Sequence, residues 1–163
     1  MVLIQGLNEK AFSTFKELPF RFLKQILSLS RKYEALRITV VFDKYDESVK
    51  SLERHRRGDF TDAYTHEVSG NRKVVKFRNF LRLSENERCL LKFVSAYLLE
   101  HSADHLQIEE TLIMAGGFEN PVLCFSVNKD GIIKLNDLKS NHDEADTRVI
   151  LPVLYEYQIL DNK

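Results

Sequence analysis

The sequence predicts an α/β domain, a mostly parallel sheet flanked by helices, and three observations carry that expectation. Segments with helical periodicity alternate with short strand-like runs along the chain. One of those runs, Arg37 to Phe42, is β-branched and unbroken, as in a strand covered on both sides. No repeat, low-complexity tract or composition break divides the 163 residues, so residues 1–163 read as a single domain.

The elements follow in order. From Glu17 to Leu36, apolar residues Leu18, Phe22, Leu23, Ile26, Leu27 and Leu29 recur at spacings of three and four, the stripe of an amphipathic helix. Pro19 suits its first turn, where no backbone donor is needed. The Arg37–Phe42 run ends at Asp43, and its central residues leave no position for a solvent face. Asp46 or Ser48 can cap a helix that runs to Arg57 and stops at Gly58. The polar stretch from Gly58 to Asn71 reads as a surface loop, and Val74 to Leu81 as a short strand or irregular segment. Ser84, followed three residues later by Glu87, has the pattern of a capping box. The helix it opens has Cys89, Leu90, Phe93, Val94, Tyr97 and Leu98 on its apolar face. Thr111–Ala115 and Val122–Val127 read as strands separated by Gly116-Gly117 and Pro121. Asp130-Gly131 then turns the chain back into Ile132-Ile133. Asn141 or Asp143 can cap a last helix to about Tyr157, which Pro152 either kinks or shortens.

A composition of 44% hydrophobic and 29% charged residues excludes wholesale disorder. No apolar run approaches the roughly 18 residues of a membrane-spanning helix. Met1-Val2-Leu3-Ile4 is too short an apolar stretch for a signal peptide. Cys89 and Cys124 both stand in apolar stretches and read as buried, reduced thiols. The expectation is an intracellular protein, cytoplasmic or nuclear, with no membrane partner. The formal charge of zero conceals a division. Residues 50–82 carry nine basic groups against four acidic ones, whereas residues 99–147 carry ten acidic groups against three basic ones. Neutrality therefore does not exclude nucleic acid.

Two constellations could carry chemistry. Asp43 ends the apolar strand, and in open α/β sheets ligands bind outside the carboxyl ends of the strands. Lys50, Arg54 and Arg57 follow at spacings of four and three, so on a helix they share one face that could track phosphates. The plainer alternative is a capped turn followed by a solvated face. The second constellation is His142-Asp143-Glu144-Ala145-Asp146-Thr147-Arg148. Its acids suit a helix start, where the dipole favours negative charge. They are also the hard oxygen donors that Mg²⁺ or Mn²⁺ requires, and they could meet Asp43 if the two elements are neighbours.

Other chemistries are excluded. Asp143-Glu144-Ala145-Asp146 spells a helicase motif, but no phosphate-binding loop with Gly-Lys-Thr or Gly-Lys-Ser precedes it. Gly116-Gly117 lacks the spacing of a dinucleotide fingerprint and reads as a turn. His101 and His105 lie four apart without the accompanying ligands of a zinc site. No serine sits in a nucleophile elbow.

Taken in chain order, several short motifs resemble those of PIN-like and flap-endonuclease-like nuclease domains. They are Val40-Val41-Phe42-Asp43-x-Tyr45, Ser48-x-Lys50, Arg54-x-Arg56-Arg57, Asn79-Phe80-Leu81, Ala115-Gly116-Gly117-Phe118 and His142-x-Glu144-Ala145-Asp146-Thr147-Arg148. The similarity is closest to a group of mobile-element-associated animal proteins and covers about two-thirds of the chain, from Val40 to Ile150. The resemblance implies a PIN-like parallel sheet with acids gathered at its carboxyl edge. It also implies hydrolysis of phosphodiesters with two divalent ions, Mg²⁺ or Mn²⁺. By position, Asp43, Glu144 and Asp146 match the metal-holding, catalytic acids, and Lys50, Arg54 and Arg57 fall in the helix that contacts nucleic-acid phosphate. The departures are an early strand ending in an acid, which Met1 to Lys16 does not offer, and an Asp-x-Asp strand beyond the last helix. The chain stops at Lys163 before such a strand, so the expectation is an incomplete domain, truncated at its C-terminus and depleted of part of its acid set. The alternative function is a non-catalytic nucleic-acid-binding or protein-interaction module that retains the fold.

Overall fold

The structure is a computed structural model that describes residues 12–43, 68–73, 76–81, 83–140 and 148–161. The described elements are α1 (Glu17–Lys32), β1 (Arg37–Val41), the single turn α2 (Phe77–Phe80), α3 (Ser84–His105), β2 (Thr111–Ala115), β3 (Cys124–Asn128), β4 (Gly131–Lys134), a 3₁₀ turn (Asn136–Leu138) and α4 (Ile150–Asp161). The helix expected between Asp46 and Arg57, and the loop after it as far as residue 67, lie outside the described residues.

The fold is α/β, with helices on both faces of a four-stranded sheet of order β1-β2-β3-β4. The sheet is mixed, which corrects the expectation of a mostly parallel one. β1 pairs with β2 in parallel, from Arg37 opposite Thr111 to Val41 opposite Ala115. β2 with β3 and β3 with β4 are antiparallel. Connection length is the reason. A parallel return needs a crossover of roughly a dozen residues or more. The segment from β1 to β2 has that length and holds α2 and α3, but only residues 116–123 join β2 to β3. Lys129 and Asp130 alone join β3 to β4.

The pairing order also moves the doubly covered strand. β1 lies at the end of the sheet with Thr39 exposed, so it is not buried on both faces as its composition suggests. β2 takes that place: Leu112, Ile113, Met114 and Ala115 are all buried. On one side Leu112, Met114, Val127, Val40 and Phe42 join Leu18, Phe22 and Leu23 of α1 and Leu90, Val94 and Leu98 of α3. On the other, Ile113, Ala115 and Cys124 pack with Leu138, and Leu151 and Tyr155 of α4 lie against them. Each fully buried Leu, Ile or Phe contributes about 1.5–3 kcal/mol, so the larger cluster dominates stability.

Local chemistry sets the helix ends. Ahead of α1, the Glu17 carboxylate accepts from the Ser13 backbone N–H at 3.2 Å and from Thr14 Oγ1 at 3.1 Å, which satisfies donors that the helix itself cannot. The helix stops at Lys32, short of Leu36, because Glu34 takes the left-handed conformation with φ 53°. The Ala35 N–H then reaches back to the Ser30 carbonyl at 2.9 Å, and Ser30 Oγ donates to the Ala35 carbonyl at 2.7 Å. Glycine normally holds that position, since a Cβ there costs about 1–2 kcal/mol. Glu34→Gly is therefore expected to raise stability by about 0.5–1 kcal/mol after the added freedom of the unfolded chain is counted. A urea titration that shows a loss instead contradicts this account of the helix end.

Two further expectations shift. Ser84 stands in the first turn of α3, with Leu83 extended at the cap position and making no side-chain cap bond. Buried Asn86 donates to the Phe80 carbonyl at 3.0 Å and so ties α3 to α2. The segment read as a strand or irregular stretch between Val74 and Leu81 contains α2. Pro152 is the third residue of α4, a position with no helical donor to lose, and the Val153 N–H bonds to the Val149 carbonyl at 3.2 Å. At the far end of the sheet, buried Glu110 accepts from Arg31 Nε at 3.3 Å and from the Gln107 N–H at 2.8 Å. Arg31 Nη2 also reaches the His105 carbonyl at 2.9 Å. This clamp joins the ends of α1 and α3 to the start of β2 and leaves the carboxyl ends of β1 and β2 on the opposite edge.

Candidate functional site

Because β1 and β2 run in parallel, Phe42-Asp43 and Gly116-Gly117 emerge side by side. The pairing extends one residue beyond the strands, with the Phe42 N–H bonded to the Ala115 carbonyl at 2.9 Å. Asp43 follows immediately and is partly exposed. This is the position the sequence assigns it, an acid at a strand's carboxyl end.

The glycine pair is required by its surroundings. Gly116 has φ 82° and Gly117 φ 77°, conformations that side-chain-bearing residues rarely adopt. A Cβ on Gly116 would lie 2.6–2.9 Å from three atoms of the Arg148 guanidinium. On Gly117 it would lie 2.2 Å from Ser95 Oγ and 2.8 Å from the Phe42 ring. The pair is a turn, as expected, and it is also a cradle.

Arg148 fills that cradle. It is 1% exposed, the largest fully buried side chain among the described residues. Nη1 donates to the Phe42 carbonyl at 2.9 Å and Nη2 to the Pro121 carbonyl at 2.5 Å. One planar fork thus spans the end of β1 and the loop after β2, a geometry that arginine provides and lysine cannot. Arg148 also lies near Cys124. Burial pushes that thiol up to about 11, and the guanidinium charge opposes the shift only in part. Cys124 is buried, as expected, whereas Cys89 is only half-buried. Cys89 is likewise raised, by burial first and then by its bond to Glu85.

Of the residues singled out from sequence, the structure places Asp43 at this edge. Lys50, Arg54, Arg57, Glu144 and Asp146 lie outside the described residues. Among the described residues no group of three or more His, Cys, Asp or Glu could hold a metal ion. Asp43 is thus the one proposed metal ligand with a position. His101 and His105 lie along α3 beside aromatic rings, His101 with its ring 4.4 Å from Tyr97 and His105 5.8 Å from Phe20. No helix among the described residues is long and apolar enough to cross a membrane.

The part that sequence reasoning missed is Arg148 as a structural pin. Its signal was available: an arginine shortly after the acids Asp143, Glu144 and Asp146, in a chain with a Gly-Gly pair at a strand end. Only the fold shows that the two fit together. No protein-family model matches the chain, and neither a curated protein nor a solved structure matches it.

Proposed function

We propose that this chain is a PIN-like, metal-dependent nuclease-type domain, with its chemistry at the carboxyl ends of β1 and β2. The observation that carries the reading is the hydrogen bond from Arg148 to the Phe42 carbonyl. Asp43 follows Phe42 directly, and Glu144 and Asp146 precede Arg148 by four and two residues. One buried bond therefore ties the residue before Asp43 to an arginine that follows Glu144 and Asp146 closely in sequence. Without it, an acid just past β1 and an acidic cluster a hundred residues later would have no reason to act together.

In this reading Asp43, Glu144 and Asp146 supply carboxylate oxygens, the donor type suited to Mg²⁺ or Mn²⁺. Such an ion, when bound, would supply an activated water and offset negative charge on the phosphodiester. Lys50, Arg54 and Arg57 would hold the phosphates of a nucleic-acid strand, a contact that weakens steeply with salt. The reduced state expected of the two cysteines suits an intracellular setting.

Calorimetry with Mn²⁺ and cleavage assays on flap and single-stranded substrates test the proposal. The expected result is binding heat and cleavage that both vanish in an Asp43→Asn, Asp146→Asn double variant. Cleavage that persists in Asp43→Ala, Asp146→Ala removes these residues from the chemistry. Salt-sensitive nucleic-acid binding without metal heat or turnover identifies instead a non-catalytic module on the same fold.

A further inference from the structure

The edge of the sheet formed by β4 points to a different property. Ile132 and Ile133 are 52% and 58% exposed, and no strand lies beyond β4 among the described residues. Edge strands of this kind are usually blunted by charge, proline or a bulge, because their outward backbone groups are open to pairing. β4 is short and ends on a charge, Lys134, yet its two central residues are adjacent exposed isoleucines.

The hydrogen-bond parity shows which groups face outward. The Leu135 N–H bonds to the Cys124 carbonyl at 2.9 Å, and the register places Ser126 opposite Ile133 and Asn128 opposite Gly131. Antiparallel ladders alternate bonded and non-bonded pairs, so Gly131, Ile133 and Leu135 point their backbone groups at β3. Ile132 and Lys134 therefore direct theirs away from the sheet. The hairpin holds this edge in place. Asn128 Oδ1 accepts from the N–H groups of Asp130 at 3.0 Å and Gly131 at 3.1 Å, and Lys129 Nζ reaches the Asp104 carbonyl of α3 at 3.3 Å.

The segment Asp130-Gly131-Ile132-Ile133-Lys134 is complementary to itself when reversed. Laid antiparallel on a second copy with Ile132 at the two-fold axis, it sets Ile132 opposite Ile132. It also sets Lys134 opposite Asp130 of the other copy, twice by symmetry. The outward N–H and C=O of Ile132 meet their own counterparts, while Lys134 faces Asp130, a residue of the turn, with opposite side-chain charge. Both Asp130 and Lys134 are exposed, so their charges are open to a second copy. We infer that β4 is a homodimerisation edge, at which two copies of this chain join their sheets into one of eight strands. The pairing area is small beside the roughly 1,200–2,000 Å² of a stable interface, so the dimer is weak and forms with rising concentration.

Sedimentation equilibrium over a concentration series tests this with charge variants at exposed positions. The wild-type chain is expected to dimerise reversibly. Lys134→Asp leaves acids at both ends of the segment and Asp130→Lys leaves bases at both ends, so each variant alone is expected to remain monomeric. An equimolar mixture of the two restores complementary ends and is expected to dimerise again. Circular dichroism of each variant checks that the fold is intact. A wild-type chain that stays monomeric overturns the inference. So does a dimer that both single variants leave unchanged, or a mixture of folded variants that fails to associate.

Discussion

Replacing Arg148 with methionine is expected to cost about 2–4 kcal/mol of stability, measured as a lowered urea midpoint with an unchanged slope. Methionine fills much of the same volume, so the loss reports the hydrogen bonds more than a cavity. The carbonyls of Phe42 and Pro121 lose their donors; the Phe42 bond is buried, where water cannot replace it, and the Pro121 bond is partly buried. Each buried acceptor left unpaired costs about 1–3 kcal/mol, and relief from burying a guanidinium offsets part of the sum. Arg148→Lys distinguishes charge from geometry. A single ammonium cannot reach two carbonyls in a fixed plane, so lysine is expected to recover less than half of the loss. Full recovery by lysine would show that charge alone is needed there. A methionine variant as stable as the wild type would show that the pin contributes nothing.

Gly117→Ala is expected to lose about 2–5 kcal/mol, from two separate causes. The left-handed conformation at φ 77° costs a side-chain-bearing residue about 1–2 kcal/mol. The new methyl also collides with Ser95 Oγ and the Phe42 ring, and overpacking of this kind adds roughly 1–3 kcal/mol. Ser95 makes the two terms separable. Its Oγ is buried and finds no hydrogen-bond partner among the described residues, so Ser95→Ala alone is expected to be neutral or slightly stabilising. In the Gly117→Ala background the same change removes the closest clash and is expected to restore part of the loss. A double-mutant cycle in urea measures that coupling. Strict additivity would mean that α3 does not press against the glycine turn.

Much of the local structure was legible because it depends on neighbours in sequence. The spacing of Leu18, Phe22, Leu23, Ile26 and Leu27 specifies α1, and these five residues are buried in it. Asp130-Gly131 announces the hairpin between β3 and β4, although the turn itself falls one residue earlier, at Lys129-Asp130, and Gly131 already pairs with Asn128. Burial was less legible. The run from Ile38 to Phe42 is as apolar as β2, yet β1 lies at the sheet's end and β2 at its centre. Composition reports how much apolar surface a strand offers; the order of strands decides how much of it is covered. The same limit applied at the candidate site. Asp43 could be placed at a strand end from its local context, whereas the partner of Gly116 is an arginine 32 positions later, which no local pattern announces.

The sequence by itself determined the α/β class, the helices α1 and α3, the return hairpin and the position of Asp43 at a strand's carboxyl end. Each follows from periodicity or turn chemistry within a few residues. Only the tertiary structure decided the mixed sheet, the exposure of β4 and the seating of Arg148 beneath Gly116 and against the Phe42 carbonyl. Those features depend on connection lengths and on contacts between residues far apart in the chain, 32 positions for Arg148 and Gly116 and 106 for Arg148 and Phe42. Such contacts form only when the whole chain packs, and the one that joins Arg148 to β1 is the physical link on which the proposed function rests.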